Sequence, residues 1–194
     1  MDEPGTVLIT GGAGYIGSHA VLAFRAVGRE AVVLDDLSTG RQDAVPADVH
    51  FFHCDAGDME RVQAIIKTHG ITSVVHFAGS LVVPESVENP LAYYLNNTAT
   101  SRNLIEVCVK CGVPHFIFSS TCAVYGIADE LPITEKTATQ PINPYGRSKL
   151  MTEQILQDTA AAHGLSFVSL RYFTTSRAPT LMVELDNRRL RQPS

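Results

Sequence analysis

Residues 6–17 read Thr6-Val7-Leu8-Ile9-Thr10-Gly11-Gly12-Ala13-Gly14-Tyr15-Ile16-Gly17, and no other stretch constrains the fold so tightly. The apolar run predicts a buried strand, the glycines a tight turn, and Tyr15 the start of a helix. The glycines fit two spacings, G-x-G-x-x-G through Gly12, Gly14 and Gly17, and the one-residue-longer form through Gly11, Gly14 and Gly17. Either spacing suits a dinucleotide pyrophosphate. Such a group must come close to backbone N–H donors at a helix start, where the dipole also favours negative charge. A Cβ at the point of closest approach would block it.

A glycine pattern alone is weak, and its context makes it strong. A helical pattern over residues 15–27 stops at Gly28, and Ala31-Val32-Val33-Leu34 follows as a second strand ending in Asp35-Asp36. An acid about 20 positions past the glycines, at the end of the second strand, is placed to accept hydrogen bonds from an adenosine ribose. That role falls to Asp35. Its charge would repel a 2′-phosphate, so NAD is expected over NADP, with Arg41 nearby as an opposing charge.

The 194 residues, 45% of them hydrophobic, have room for one α/β domain with a core. A formal net charge of -5 gives no basic surface for nucleic acid or an anionic membrane, which leaves small molecules as expected partners. Met1-Asp2-Glu3-Pro4-Gly5 has no signal-peptide character, and no apolar run reaches spanning length. A cytoplasmic protein is expected. Cys108 and Cys111 have C-x-x-C spacing with His115 beyond, but no second pair accompanies them. One turn apart on a predicted helix, they read as small apolar side chains, and no metal is expected. Cys54 and Cys122 read as small neighbours of strand ends.

Further along, residues 37–48 are turn-rich and His50-Phe51-Phe52 forms a short strand running toward Asp55. A helix carrying Val62, Ile65 and Ile66 leads to an apolar strand over 71–77, closed by Ala78-Gly79. Residues 80–89 read as a loop, 90–112 as one long helix, and His115-Phe116-Ile117-Phe118 as the fifth strand. Strands alternating with helices predict a doubly wound, mostly parallel α/β sheet with ligands at the carboxyl ends of its strands.

Two later stretches carry reactive groups. The fifth strand ends in Ser119-Ser120-Thr121, and Pro144-Tyr145-Gly146-Arg147-Ser148-Lys149 opens a helix on which Tyr145 and Lys149 share a face. A phenol titrates near about 10 in water, and a nearby ammonium together with a nicotinamide cation would favour its phenolate. The product is a general base for an alcohol or sugar hydroxyl. Thr121 could bind the same oxygen or pass its proton, and Lys149 could hydrogen-bond the nicotinamide ribose. Taken singly, each also fits an ordinary place: Thr121 as a cap, Tyr145 as an amphipathic surface residue, Lys149 as a solvated charge. Together, behind the glycine turn, they point to chemistry.

The set formed by residues 10–17, the Ser/Thr pair ahead of Val124-Tyr125-Gly126, and the Tyr145–Lys149 spacing resembles the extended short-chain dehydrogenase/reductase family. Within it, Val75-His76-Phe77-Ala78-Gly79, Pro84-Glu85-Ser86-Val87, Tyr93-Tyr94-Leu95-Asn96-Asn97 and Ser119 to Gly126 are similar to the nucleotide-sugar epimerising members. The resemblance runs to about Phe173. It implies a Rossmann-like domain binding NAD over residues 1–173, with an atypical tail, without ordered elements, over 174–194. Cofactor contacts then fall on Gly11, Gly14, Tyr15, Ile16, Gly17, Asp35, Asp36, Leu37, Ser38, Thr39, Gly40, Asp55, Ala56, Phe77, Ala78, Gly79, Ser80, Leu81, Asn96, Thr121, Tyr145, Lys149 and Phe173. Leu81 stands where some members carry lysine, so its contact would be apolar or through backbone. Thr121, Tyr145 and Lys149 fall on catalytic positions, the first two also touching substrate.

The implied reaction interconverts UDP-galactose and UDP-glucose. Tyr145 takes the proton of the sugar O4 while C4 gives hydride to NAD, and the 4-keto sugar receives it back on its other face. Members that eliminate water place an additional acid and base after the Ser/Thr, where this chain has Cys122-Ala123, so epimerisation is the expectation. The resemblance also implies a homodimer through the helix before the fifth strand and the Tyr145 helix. After Tyr172-Phe173 the family places asparagine and a lobe that closes on the nucleotide-sugar. Here Thr174-Thr175-Ser176 follows, and the expectation is a substrate lobe largely absent.

Overall fold

The structure, a computed structural model, describes residues 5–128, 131–173 and 183–185. Six parallel strands form the sheet: β1 (Thr6–Thr10), β2 (Ala31–Asp35), β3 (His50–His53), β4 (Ile71–His76), β5 (His115–Thr121) and β6 (Ser166–Tyr172). A short β7 (Val183–Leu185) pairs antiparallel with β6, giving the order β3-β2-β1-β4-β5-β6-β7. The order reverses between β1 and β4, and that reversal opens a crevice at the carboxyl ends of the two strands. Apart from β7, the predicted tail of 174–194 lies outside the described residues.

β1 and β2 are buried along their whole length because helices cover both faces of the sheet. Alternate residues of β1 feed different cores. Leu8 joins Val74, Phe116 and Phe118 against Ile65 and Ile66 of α2 (Met59–Thr68), Leu104 and Ile105 of α5 (Thr100–Lys110) and Leu156 of α6 (Pro144–His163). Val7 and Ile9 join Val33, Val75 and Val21 of α1 (Tyr15–Ala26) on the other side. Cys108 belongs to the first core and Cys111 packs against it. Among the described residues no helix is long and apolar enough to cross a membrane.

Two predicted elements differ. Within the expected loop of 80–89, Val83–Glu88 forms a helical turn, α3, with Pro84 at its start, where a missing N–H costs nothing. The expected single helix of 90–112 instead begins as α4 (Pro90–Tyr93), widens into a π-helical turn (Tyr94–Ala99) and continues as α5. The cause lies in Asn97. Its carbonyl accepts the Ser101 and Thr152 hydroxyls at 2.6 and 3.0 Å, and its buried side chain ties Ser80 to Ser148. Polar groups inserted beside a helical ladder open it in this way.

Candidate active site

The glycine turn is shaped by what a side chain would strike. A Cβ on Gly17 would lie 2.1 Å from the Gly11 carbonyl oxygen, and one on Gly11 would lie 2.6 Å from Ala78 N. Gly14, the N-cap of α1, leaves the space at the helix start open, its Cβ meeting only Gly11 O at 3.3 Å. The helix α2 is capped by Asp58 and α6 by Asn143, whereas no side chain caps α1 and no acid occupies its first turn. Tyr15 and Ile16 are exposed there. The first N–H groups of α1 are therefore available to an anion.

Asp35 lies buried at the end of β2 and organises the backbone around it. One carboxylate oxygen accepts Ala13 N at 2.9 Å and the other Leu37 N at 2.8 Å. Residues 37–40 wrap this carboxylate closely enough that a Cβ on Gly40 would come within 2.9 Å of it. Half-buried Leu37 packs under the second core, while Ser38 and Thr39 are exposed. Exposed Asp36 accepts the Ser38 N–H and hydroxyl at 2.9 and 2.7 Å. Arg41 is held by Asp43 through bonds of 3.0 and 2.6 Å, so its charge is already matched beside Asp35. Further out on the same rim, exposed Asp55 accepts Gly57 N at 2.6 Å, and Ala56 is buried in the core.

Across the crevice, the segment after β4 runs from Phe77 to Leu81. Phe77 N donates to Thr10 O at 2.9 Å, Ala78 packs on the first core, and Leu81 is exposed. Gly79 sits at φ 150°, with Lys149 Nζ 3.3 Å from where its Cβ would stand, so glycine admits the ammonium. Ser80 is held by the amide side chains of the π turn: Asn96 Nδ2 donates to its hydroxyl at 2.8 Å, and Asn97 Oδ1 accepts its N–H at 2.8 Å.

Thr121, Tyr145 and Lys149 converge at the carboxyl end of β5. Thr121 Oγ1 accepts Ala123 N at 3.2 Å, and the first turn of α6 packs on the same segment, where a Cβ on Gly146 would lie 2.7 Å from the Ala123 carbonyl oxygen. Lys149 Nζ donates to Ser119 O at 3.1 Å and lies 5.1 Å over the Phe118 ring. Burial pushes its pKa down from 10.5 to about 8. In the chain by itself burial raises the pKa of the Tyr145 phenol, hydrogen bonding from Thr121 partly opposes the rise, and Cys122 adds to it. Desolvation of a phenolate outweighs that single hydrogen bond. Burial likewise raises the Cys122 thiol, which leaves it a poor acid or base for added chemistry. Phe173 is half-buried and stacks on Tyr125 with ring centroids 6.3 Å apart.

Several residues here were not singled out as site members from sequence. His76 is fully buried, and burial together with Lys149 pushes its pKa down to about 3. Ser101 spends its proton on Asn97 O, so His76 Nε2–H donates to Ser101 at 2.8 Å and Nδ1 accepts from Thr10 at 2.6 Å. This chain of bonds joins the glycine turn to the π turn. Glu153 and Arg171 form a buried ion pair one helical turn past Lys149. The available signal was spacing: Tyr145, Lys149 and Glu153 recur every fourth position, so a polar stripe faces inward along α6.

Comparison with known proteins agrees with this geometry. A family model described as the NAD dependent epimerase/dehydratase family matches residues 7–176. The UDP-glucose 4-epimerase of Azospirillum brasilense is 54% identical over 172 residues, which cover 89% of this chain and 49% of that protein. That of Streptococcus mutans is 45% identical over 174 residues, 89% of this chain and 52% of that protein. Among solved structures, the UDP-glucose 4-epimerase from Brucella ovis in complex with NAD superposes with a TM-score of 0.86 at 45% identity, covering 88% of this chain and 52% of that one. The chain thus spans about half the length of the curated relatives it matches.

Proposed function

The chain belongs to the NAD dependent epimerase/dehydratase family, and on that premise we propose that it carries the NAD-binding and proton-transferring half of a UDP-glucose 4-epimerase, acting on UDP-galactose and UDP-glucose. The observation that carries this reading is the gathering of Thr121, Tyr145 and Lys149 at the carboxyl end of β5, across the crevice from an uncapped helix start. The residues present fit NAD. The turn at Gly11, Gly14 and Gly17 excludes side chains where a pyrophosphate would approach, and each Asp35 oxygen keeps a lone pair for a ribose hydroxyl. Asp35 would repel a 2′-phosphate, and Arg41, the opposing charge nearby, faces Asp43 at the surface, which favours NAD over NADP.

Bound NAD would supply the hydride acceptor and donor. The chain's own part is proton transfer and placement. In its phenolate form, which positive charge brought beside it would favour against the effect of burial, Tyr145 Oη would take the proton of the sugar 4-hydroxyl and later return it, Thr121 would hold the same oxygen in line, and the Lys149 ammonium would offer a hydrogen bond to the nicotinamide ribose. Asn96, Ser80, Gly79 and Phe173 would line the nicotinamide side, and Tyr15, Ile16, Asp36, residues 37–40, Asp55 and Ala56 the adenosine side. Cys122-Ala123, lacking an acid and a base, favours epimerisation over elimination.

The apolar side chains left exposed on the helices flanking the crevice suit a homodimer. Val87, Leu91, Leu95 and Met151 are 62%, 78%, 67% and 41% exposed on α3, α4, the π turn and α6. Light scattering on the purified chain checks this directly, a dimer mass being expected.

The activity test joins the Azospirillum brasilense C-terminal half after Phe173 and follows UDP-galactose conversion. Turnover is expected in the chimera, loss of at least about a hundredfold in its Tyr145→Phe form, and little or none from the 194-residue chain alone. A folded, NAD-binding chimera that does not convert UDP-galactose would leave a nucleotide-binding module as the better reading.

A further inference from the structure

On α6, three successive turns dock on the carboxyl end of β5. Gly146, next to Tyr145, sits so close to the segment after Thr121 that a Cβ on it would lie 2.7 Å from the Ala123 carbonyl oxygen, Lys149 meets Ser119 O, and Glu153 accepts a hydrogen bond from the Ser120 hydroxyl. The Glu153 carboxylate does not act alone. Arg171 grips it with Nε at 3.1 and 3.2 Å and a terminal nitrogen at 2.6 Å, both side chains being under a tenth exposed. Across the sheet Arg171 stands opposite Ser120 in the β5–β6 register. Its other terminal nitrogen donates to the Tyr125 hydroxyl at 2.9 Å, and its guanidinium lies 4.9 Å from that ring's centroid.

These contacts bracket Thr121. Ser120 immediately precedes it, and Tyr125 ends the 3₁₀ turn (Cys122–Tyr125) that follows it. A buried ion pair is a poor source of stability, because desolvating both charges offsets most of their attraction, and an apolar pair of similar volume often does as well. What an apolar pair could not do is hold Ser120 and Tyr125 by directional bonds. We propose that Glu153 and Arg171 are positioning residues, a buried clasp that fixes the strand end on both sides of Thr121 and so keeps the Thr121 hydroxyl against Tyr145.

The inference rests on the reading of Thr121 and Tyr145 as the reactive pair, and the test separates the two. The full 194-residue chain is labelled with ¹³Cζ-tyrosine, the Tyr145 signal is assigned from its loss in Tyr145→Phe, and its titration is followed by NMR. Thr121→Val serves as the reference, since it removes the hydrogen bond that opposes the rise of the phenol. The paired variant Glu153→Leu with Arg171→Met keeps the core filled, and Ser120→Ala removes one strand contact alone. Both are expected to shift the Tyr145 midpoint upward, in the Thr121→Val direction, while the chain still melts cooperatively. A folded paired variant with the wild-type midpoint overturns the clasp. Should the pair fail to fold, Ser120→Ala decides by the same criterion. A Thr121→Val chain that titrates like wild type would overturn the reactive pair itself.

Discussion

The two walls of the crevice are built from different material. On the β1–α1–β2 side the working surface is backbone: the turn at Gly11 to Gly17, the open start of α1, and a single carboxylate, Asp35, that binds N–H groups. On the β5–α6–β6 side the surface is side chains: Thr121, Tyr145 and Lys149, with Glu153 and Arg171 behind them. A wall of backbone is sensitive to added atoms, because its function is to leave space. A wall of buried polar side chains is sensitive to removed atoms, because each partner left behind is stranded.

The largest effect should come from adding atoms to the first wall. Gly17→Val would drive a side chain into the Gly11 carbonyl, and loss of NAD binding with destabilisation of about 3 kcal/mol or more is expected, read by calorimetry and denaturant unfolding. The second wall should respond oppositely. Arg171→Met alone strands the Glu153 carboxylate and is expected to cost about 3–5 kcal/mol, most of it recovered when Glu153→Leu is added. If the paired change is as damaging as the single one, the contrast between the walls fails.

A third effect lies between them. His76 is neutral in the fold, with its pKa near 3 against 6.5 for the free ring, so between those values the unfolded chain binds the extra proton. Stability is therefore whole above pH 6.5 and declines as pH falls toward 3, by an amount on the order of a few kcal/mol. Urea titrations across that range should show this slope reduced in His76→Asn. Asp35→Asn keeps only one of the two acceptors that Ala13 N and Leu37 N use and loses the charge, so NAD affinity is expected to fall by at least about tenfold, the preference over NADP shrinking with it. At the bottom, Arg41→Ala should leave melting temperature and NAD preference unchanged, because its partner Asp43 is also at the surface.

The same contrast explains what was legible in the sequence. Backbone-built features announce themselves through residue type, since glycine is the residue that leaves a cradle empty, and a βαβ unit ending in an acid follows from periodicity. The Tyr145–Lys149 pair was legible because four-residue spacing fixes a helical face. What spacing could not convey was burial. Burial of the Tyr145 phenol, which raises its pKa in the chain by itself, is invisible in a linear pattern. The π turn was hidden for a related reason: residues 90–112 have sound helical periodicity, and only the tertiary contacts of Asn97 with Ser80, Ser148 and Thr152 widen it. Glu153 and Arg171 lie 18 positions apart, so their pairing exists only once α6 packs on β6.

An NAD site whose adenosine end excludes a 2′-phosphate must discriminate between the two nucleotides. Calorimetric titration of the purified 194-residue chain with NAD and then with NADP measures it most directly. Saturable binding of NAD at one site per chain, at least about tenfold tighter than NADP, is the expected result, the difference amounting to about 1.4 kcal/mol. No binding by a cooperatively folded chain, or equal affinity for the two nucleotides, would contradict the account.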